Sequence, residues 1–127
     1  MTRTLRIAVA DDEPDVRDYF QRVLPRLGHQ VVAAAANGLE LVEICREHKP
    51  DLIIADVRMP EMDGDIAVAQ ICQLWPIPFI LISAYSKAAG MLDGFGSVRR
   101  TYLTKPVKRD DLEDAIELVC PASGGHE

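Results

Sequence analysis

The chain has 127 residues, 48% of them apolar and 27% charged, with 20 acidic against 14 basic side chains and a formal net charge of −6. That length suits one domain with a sizeable core, and the composition excludes a disordered chain. The acid excess, with no Lys/Arg run, argues against direct contact with nucleic acid; the longest apolar runs, such as Phe79 to Ile82, are far too short to span a bilayer, so the protein is read as cytoplasmic.

In chain order, Leu5 to Ala10 is a short apolar run that ends abruptly in Asp11-Asp12-Glu13. Comparable runs follow at Val31 to Ala35, Leu52 to Ala55, Phe79 to Ile82 and Thr101 to Leu103, giving five predicted strands. Their near-continuous apolar character suits strands covered on both faces, and each gap between them is long enough for a crossover helix. The first gap carries Val16, Tyr19, Phe20, Val23, Leu24 and Leu27 at helical spacing, with Pro14 where a first turn tolerates proline and Gly28 at the end. Leu41, Val42 and Cys45 mark a second helix that Asn37 is placed to cap, and Ala67, Val68 and Ile71 a third. A fourth is expected within Ser86 to Ser97, weakened by Gly90, Gly94 and Gly96 at about 1 kcal/mol each relative to Ala, and so short, frayed or mobile. Leu112, Ala115, Ile116 and Val119 form the stripe of a fifth.

Strand and helix alternating five times predict a single doubly wound α/β domain: a five-stranded parallel sheet flanked by five helices, over residues 1–120. Residues 121–127, beginning Pro-Ala-Ser-Gly-Gly, read as a flexible tail or the start of a linker. Cys45, Cys72 and Cys120, an odd number set among apolar residues, read as small buried hydrophobes in a reducing compartment. His29, His48 and His126 have no partners at ligand spacing and read as surface residues, and Trp75-Pro76-Ile77-Pro78 as a rigid lead into the fourth strand.

The polar residues that end the strands carry the chemistry. Asp11 and Asp12 end the first, Asp56 the third, Ser83 the fourth and Lys105 the fifth, so all five meet at one edge of the sheet, where such folds place their sites. Clustered carboxylates raise one another's pKa values unless a cation sits among them, and hard oxygen donors favour hydrated Mg2+ over zinc. An exposed carboxylate so neutralised can attack a phosphoryl group, with a hydroxyl and an ammonium for the remaining phosphate oxygens. Singly, each residue has a plainer reading: Asp11-Asp12-Glu13 as charge at a helix N-terminus, Ser83 as a strand-end hydroxyl, Tyr102 as an edge aromatic, Lys105 as a solvated charge. Only the joint placement outweighs those readings.

Asp11-Asp12, the stretch Asp-Val-Arg-Met-Pro-Glu-Met-Asp-Gly from Asp56, Ser83-Ala84, and Tyr-Leu-Thr-Lys-Pro from Tyr102 resemble the response regulator receiver family, of the chemotaxis-receiver type, over roughly residues 5 to 120. The resemblance implies a flavodoxin-like receiver fold and a regulatory phosphoacceptor of two-component signalling rather than an enzyme. It implies Asp56 as phosphoacceptor, Asp12 as a direct Mg2+ ligand, Asp11 as a ligand partly through water, and Asp56 and the Arg58 backbone carbonyl as further ligands, with Mn2+ as an alternative ion. Lys105 and Ser83 would contact the phosphate, Ser83 and Tyr102 would form the switch, the Lys105-Pro106 bond would be cis, and Arg58 and Tyr85 would influence the phosphate's lifetime. A sensor histidine kinase or histidine phosphotransfer domain would be the donor. The face of fourth helix, fifth strand and fifth helix would meet a downstream protein, an attached output domain or a second copy in a dimer.

Departures from the family are the shorter stretch between Asp56 and Ser83 and the bulky, basic Ser97-Val98-Arg99-Arg100 before the last strand. Two readings compete: a receiver-like interaction module that is not phosphorylated, and a Mg2+-dependent aspartyl-phosphate phosphatase. The second needs an Asp-x-Asp at the first strand, and Asp56-Val57-Arg58 has no general acid in that place. A flavodoxin-like anion-binding module would need a hydroxyl- and Gly-rich loop where this chain has carboxylates.

Overall fold

The apolar runs become strands β1 (Arg6–Ala10), β2 (Gln30–Ala35), β3 (Leu52–Asp56), β4 (Phe79–Ser83) and β5 (Arg100–Thr104) in a computed structural model that describes residues 4–84, 90 and 92–121. They form one parallel sheet in the order β2-β1-β3-β4-β5. β3 and β4 are buried at every residue because helices and connections cover both faces. The chain steps outward from β1 to β2 and then returns to β3 on the other side, so a crevice opens beyond the carboxyl ends of β1 and β3.

Among the described residues, four helices pack on the sheet: α1 (Pro14–Arg26), α2 (Gly38–His48), α3 (Gly64–Leu74) and α4 (Arg109–Val119). Alternate strand residues divide the core. Ile7, Val9, Leu52, Ile54, Ile80 and Ile82 face α1 and α4, whereas Ala8, Ala10, Ile53, Ala55, Phe79 and Leu81 face α2 and α3. Pro14 stands in the first turn of α1, and Asn37 caps α2 by accepting the Glu40 N–H at 2.9 Å while the Glu40 carboxylate accepts the Ala36 N–H at 2.7 Å. Cys45 and Cys120 are buried and Cys72 half-buried; burial, with Cys72 nearby, pushes the Cys45 thiol up to about 12, so it packs as an inert hydrophobe. No helix among the described residues is long and apolar enough to cross a membrane.

The expected fifth flanking helix, the one between β4 and β5, is not found among the described residues. Residues 90 and 92–99 are turns and irregular chain, and Gly90, Gly94 and Gly96 take φ of +73°, +83° and +60°. The left-handed region is incompatible with an α-helix, so glycines read as weak points of a helix are the points at which the chain turns. Residues 86–89 and 91 of that expected helix lie outside the described residues, as do Tyr85 and 122–127 of the expected tail with His126. Leu92, Phe95 and Val98 of this crossover pack on the α2/α3 side of the core, and Phe95 meets Phe79 edge-on at 4.7 Å.

His29 differs from its reading as a surface residue: it is half-buried, and its Nδ1 accepts the Leu5 N–H at 3.1 Å. Burial lowers its pKa, so the folded chain favours the neutral ring. Stability from this group is intact above the ordinary imidazole range and falls as pH drops from there toward the lowered folded value, because the unfolded chain takes the proton first. An asparagine at this position, whose Oδ1 can accept the same N–H, removes that loss; the difference between urea midpoints at about pH 7.5 and about pH 5.5 should be smaller in His29→Asn than in the parent.

Candidate functional site

Each strand leading into the crevice delivers a polar residue at its carboxyl end. Asp11 follows β1, its N–H held by the Ala35 carbonyl at 3.0 Å; Asp56 and Ser83 are the last residues of β3 and β4. Lys105 follows β5, its backbone N–H tied to the Ser83 carbonyl at 2.7 Å, and the Lys105–Pro106 peptide is cis. Carboxylate oxygens of Asp11, Asp12 and Asp56 lie within 4.8 Å of one another. The Lys105 ammonium stands 3.1 Å from Asp11 Oδ2 and 3.2 Å from Asp56 Oδ2.

Three carboxylates against one ammonium leave the cluster short of positive charge. Asp56 is 7% exposed and its pKa is raised, first by burial and then by Asp11; Lys105 and the Arg58 backbone N–H hold it down only in part. Burial alone would lower the Lys105 pKa, but Asp11 and Asp56 outweigh it and raise the value, so the amine stays charged. Asp11 Oδ1 accepts the Glu13 N–H at 2.9 Å, while Oδ2, fully buried, faces the ammonium without any donor aligned on it. An unsatisfied buried carboxylate oxygen is costly, and a hard cation among these oxygens is the partner that the donor set fits.

Ser83 is buried, and its register partner is Thr104, just as Leu81 pairs with Tyr102. Ser83 therefore shares a sheet face with Leu81 and Tyr102, the α2/α3 side, where the half-buried Tyr102 ring packs against the core. The Arg58 side chain is exposed. Tyr85 lies outside the described residues.

Three features of the site were not singled out from the sequence. Arg17 of α1 donates from Nη1 to the Asp11 carbonyl at 2.8 Å, which ties the helix to the acidic turn. Gly64 begins α3 against the backbone of Asp56, and Gly38 begins α2 against Met62, so both helix starts approach the β3–α3 loop more closely than a side chain permits. Gly64 closes the Asp56 motif, which was a signal; Gly38 and Arg17 had none, because their contacts are made across the fold.

The sequence matches the family model described as response regulator receiver domain over residues 7–117. The chain belongs to the response regulator receiver family. Receiver domains are the phosphorylation-controlled regulatory modules of two-component systems, and they bind Mg2+ at an acidic pocket. The chain is similar to the chemotaxis protein CheY of Bacillus subtilis, with 35% identity over 87% of this chain and 93% of the relative. It is also 35% identical to the transcriptional regulatory protein PdtaR of Mycobacterium tuberculosis, covering 89% of this chain but 55% of that protein, so it spans about half the length of that relative. Among solved structures, a LuxR-family two-component response regulator from Aurantimonas superposes with a TM-score of 0.80 at 32% identity, over 91% of this chain and 84% of that one.

Proposed function

We propose that this receiver domain is switched by transfer of a phosphoryl group to Asp56. The observation that carries the reading is the buried Asp56 carboxylate beside two further carboxylates, with the Lys105 ammonium 3.2 Å away. A carboxylate oxygen of Asp56 forms the new P–O bond as the P–N bond to a donor imidazole breaks, and the imidazole leaves with the electron pair and takes up a proton. The donor is a phosphohistidine on a sensor histidine kinase or a histidine phosphotransfer domain.

Asp11, Asp12, Asp56 and the Arg58 backbone carbonyl would hold Mg2+, or Mn2+ in its place. When bound, the ion neutralises charge between carboxylate and phosphoryl oxygens. Lys105 and the Ser83 hydroxyl take the other phosphate oxygens, and Arg58 and Tyr85 set how readily water reaches the phosphate. Movement of Ser83 toward the phosphate, followed by Tyr102 on the same sheet face, biases a two-state equilibrium. The readout surface is formed by the β4–β5 crossover, β5 and α4. It would present itself in the cytoplasm to a downstream protein, an output domain or a second copy, with the phosphoacceptor unit spanning residues 1–120.

Incubation with Mg2+ and acetyl phosphate, followed by intact mass measurement, tests the reading. The parent should gain one phosphoryl group, lost again once acetyl phosphate is removed with Mg2+ still present, and Asp56→Asn should gain none. No gain in the parent would favour an unphosphorylated interaction module; steady phosphate release over many turnovers would favour a phosphatase.

A further inference from the structure

One side chain gathers backbone carbonyls from the described part of the β4–β5 crossover. Arg100, the first residue of β5, donates through Nε to the Leu92 carbonyl at 2.5 Å and through Nη1 to the carbonyls of Val98 at 2.6 Å and Gly96 at 3.2 Å. Its guanidinium also lies 5.7 Å from the centre of the Phe95 ring. In a helix those carbonyls would bond to amides four residues on. Here Gly94 and Gly96 turn the chain through positive φ, and the carbonyls converge on a planar fork of donors that lysine does not possess.

Arg100 and Tyr102 are two residues apart on β5 and therefore on one face of the sheet. Leu92, Phe95, Val98 and Tyr102 all pack against the core on that face, and the Arg100 guanidinium lies beside Phe95.

We propose that Arg100 is a latch that holds residues 92–98 in their turned, non-helical path and joins the order of that segment to the position of Tyr102. That segment then resets as one unit with the start of β5. The coupling to Tyr102 rests on the phosphorylation reading above; the latch itself does not.

Amide hydrogen exchange on the whole chain, with and without Mg2+ and beryllofluoride, tests both parts. Without ligand, Arg100→Ala and Arg100→Lys should each speed exchange across 92–98 by roughly tenfold to a hundredfold and leave β1 and β3 unchanged. In the parent, beryllofluoride should change exchange across 92–98, and in both variants that response should vanish. Parent-like protection in Arg100→Ala, or its rescue by Arg100→Lys, would overturn the latch. A beryllofluoride response that survives in the variants would overturn the coupling. If beryllofluoride leaves the amides around Asp56 unchanged in the parent, the phosphorylation reading and the coupling fall together, and the unliganded comparison still decides the latch.

Discussion

Gly64→Ala is expected to cost about 3 kcal/mol or more of folding stability and to displace Asp56 in whatever fraction still folds. A Cβ at this position would stand 2.0 Å from the Asp56 backbone oxygen and 3.0 Å from its carbonyl carbon. Those atoms belong to a central strand paired on both sides and cannot swing away as the tip of a side chain could. Nor can α3 withdraw freely, because the Gly64 N–H donates to the Val57 carbonyl at 2.7 Å. Gly38→Ala puts a Cβ 2.2 Å from the Met62 oxygen and should destabilise comparably, but it presses on the far end of the loop and should disturb Asp56 less. Gly28→Ala is the contrast: nothing lies within 4 Å, and only the φ of +93° is strained, for about 1–2 kcal/mol. Urea unfolding and the extent of labelling by acetyl phosphate measure the two effects, and a parent-like midpoint for Gly64→Ala would disprove the close approach.

Lys105→Met is expected to lower stability at neutral pH by about 1–3 kcal/mol in the absence of divalent ions and to slow phosphorylation sharply. The Met side chain keeps much of the stem's packing, so the effect is chiefly of charge. Asp11 and Asp56, whose side chains are 1% and 8% exposed, would lose the cation that each faces. The lower end of the range for a broken buried pair, and somewhat less, applies because Lys105 is itself 23% exposed. The pH dependence has a definite sign. Asp56 is a carboxylate whose folded pKa is raised, so it costs stability above that value, and the cost is relieved as pH falls through the folded value toward the unfolded one of 3.8. Without Lys105 the folded value rises further, so acid relief begins at higher pH and is larger than in the parent. Millimolar Mg2+ should restore stability by supplying charge to the same oxygens. Urea midpoints against pH, with and without Mg2+, measure this; no loss at neutral pH would show that the ammonium is not holding the carboxylates together.

Much of the site was legible because strand ends in a parallel sheet are a local property of the chain. Where an apolar run stops at Asp11, Asp56, Ser83 or Lys105, the polar residue must lie at the sheet's carboxyl edge, and four of the helices follow from stripes that match the faces they bury. Less legible was any feature that depends on what lies opposite. His29 reads as a surface ring in the sequence and is an acceptor for Leu5; Arg17, not singled out from the sequence, holds the Asp11 carbonyl.

The sequence by itself determined the strand order's raw material, the two-sided burial of the sheet and the convergence of acids and lysine, since periodicity and abrupt polar stops respond to one nearby surface. Only the tertiary structure decided the path of residues 92–99 into β5. A glycine weakens a helix by about 1 kcal/mol whether or not the helix forms, so composition alone leaves that segment undetermined. The decision falls to Phe95 against Phe79 and to Arg100 gathering three carbonyls, contacts that exist only once β5 has joined the sheet.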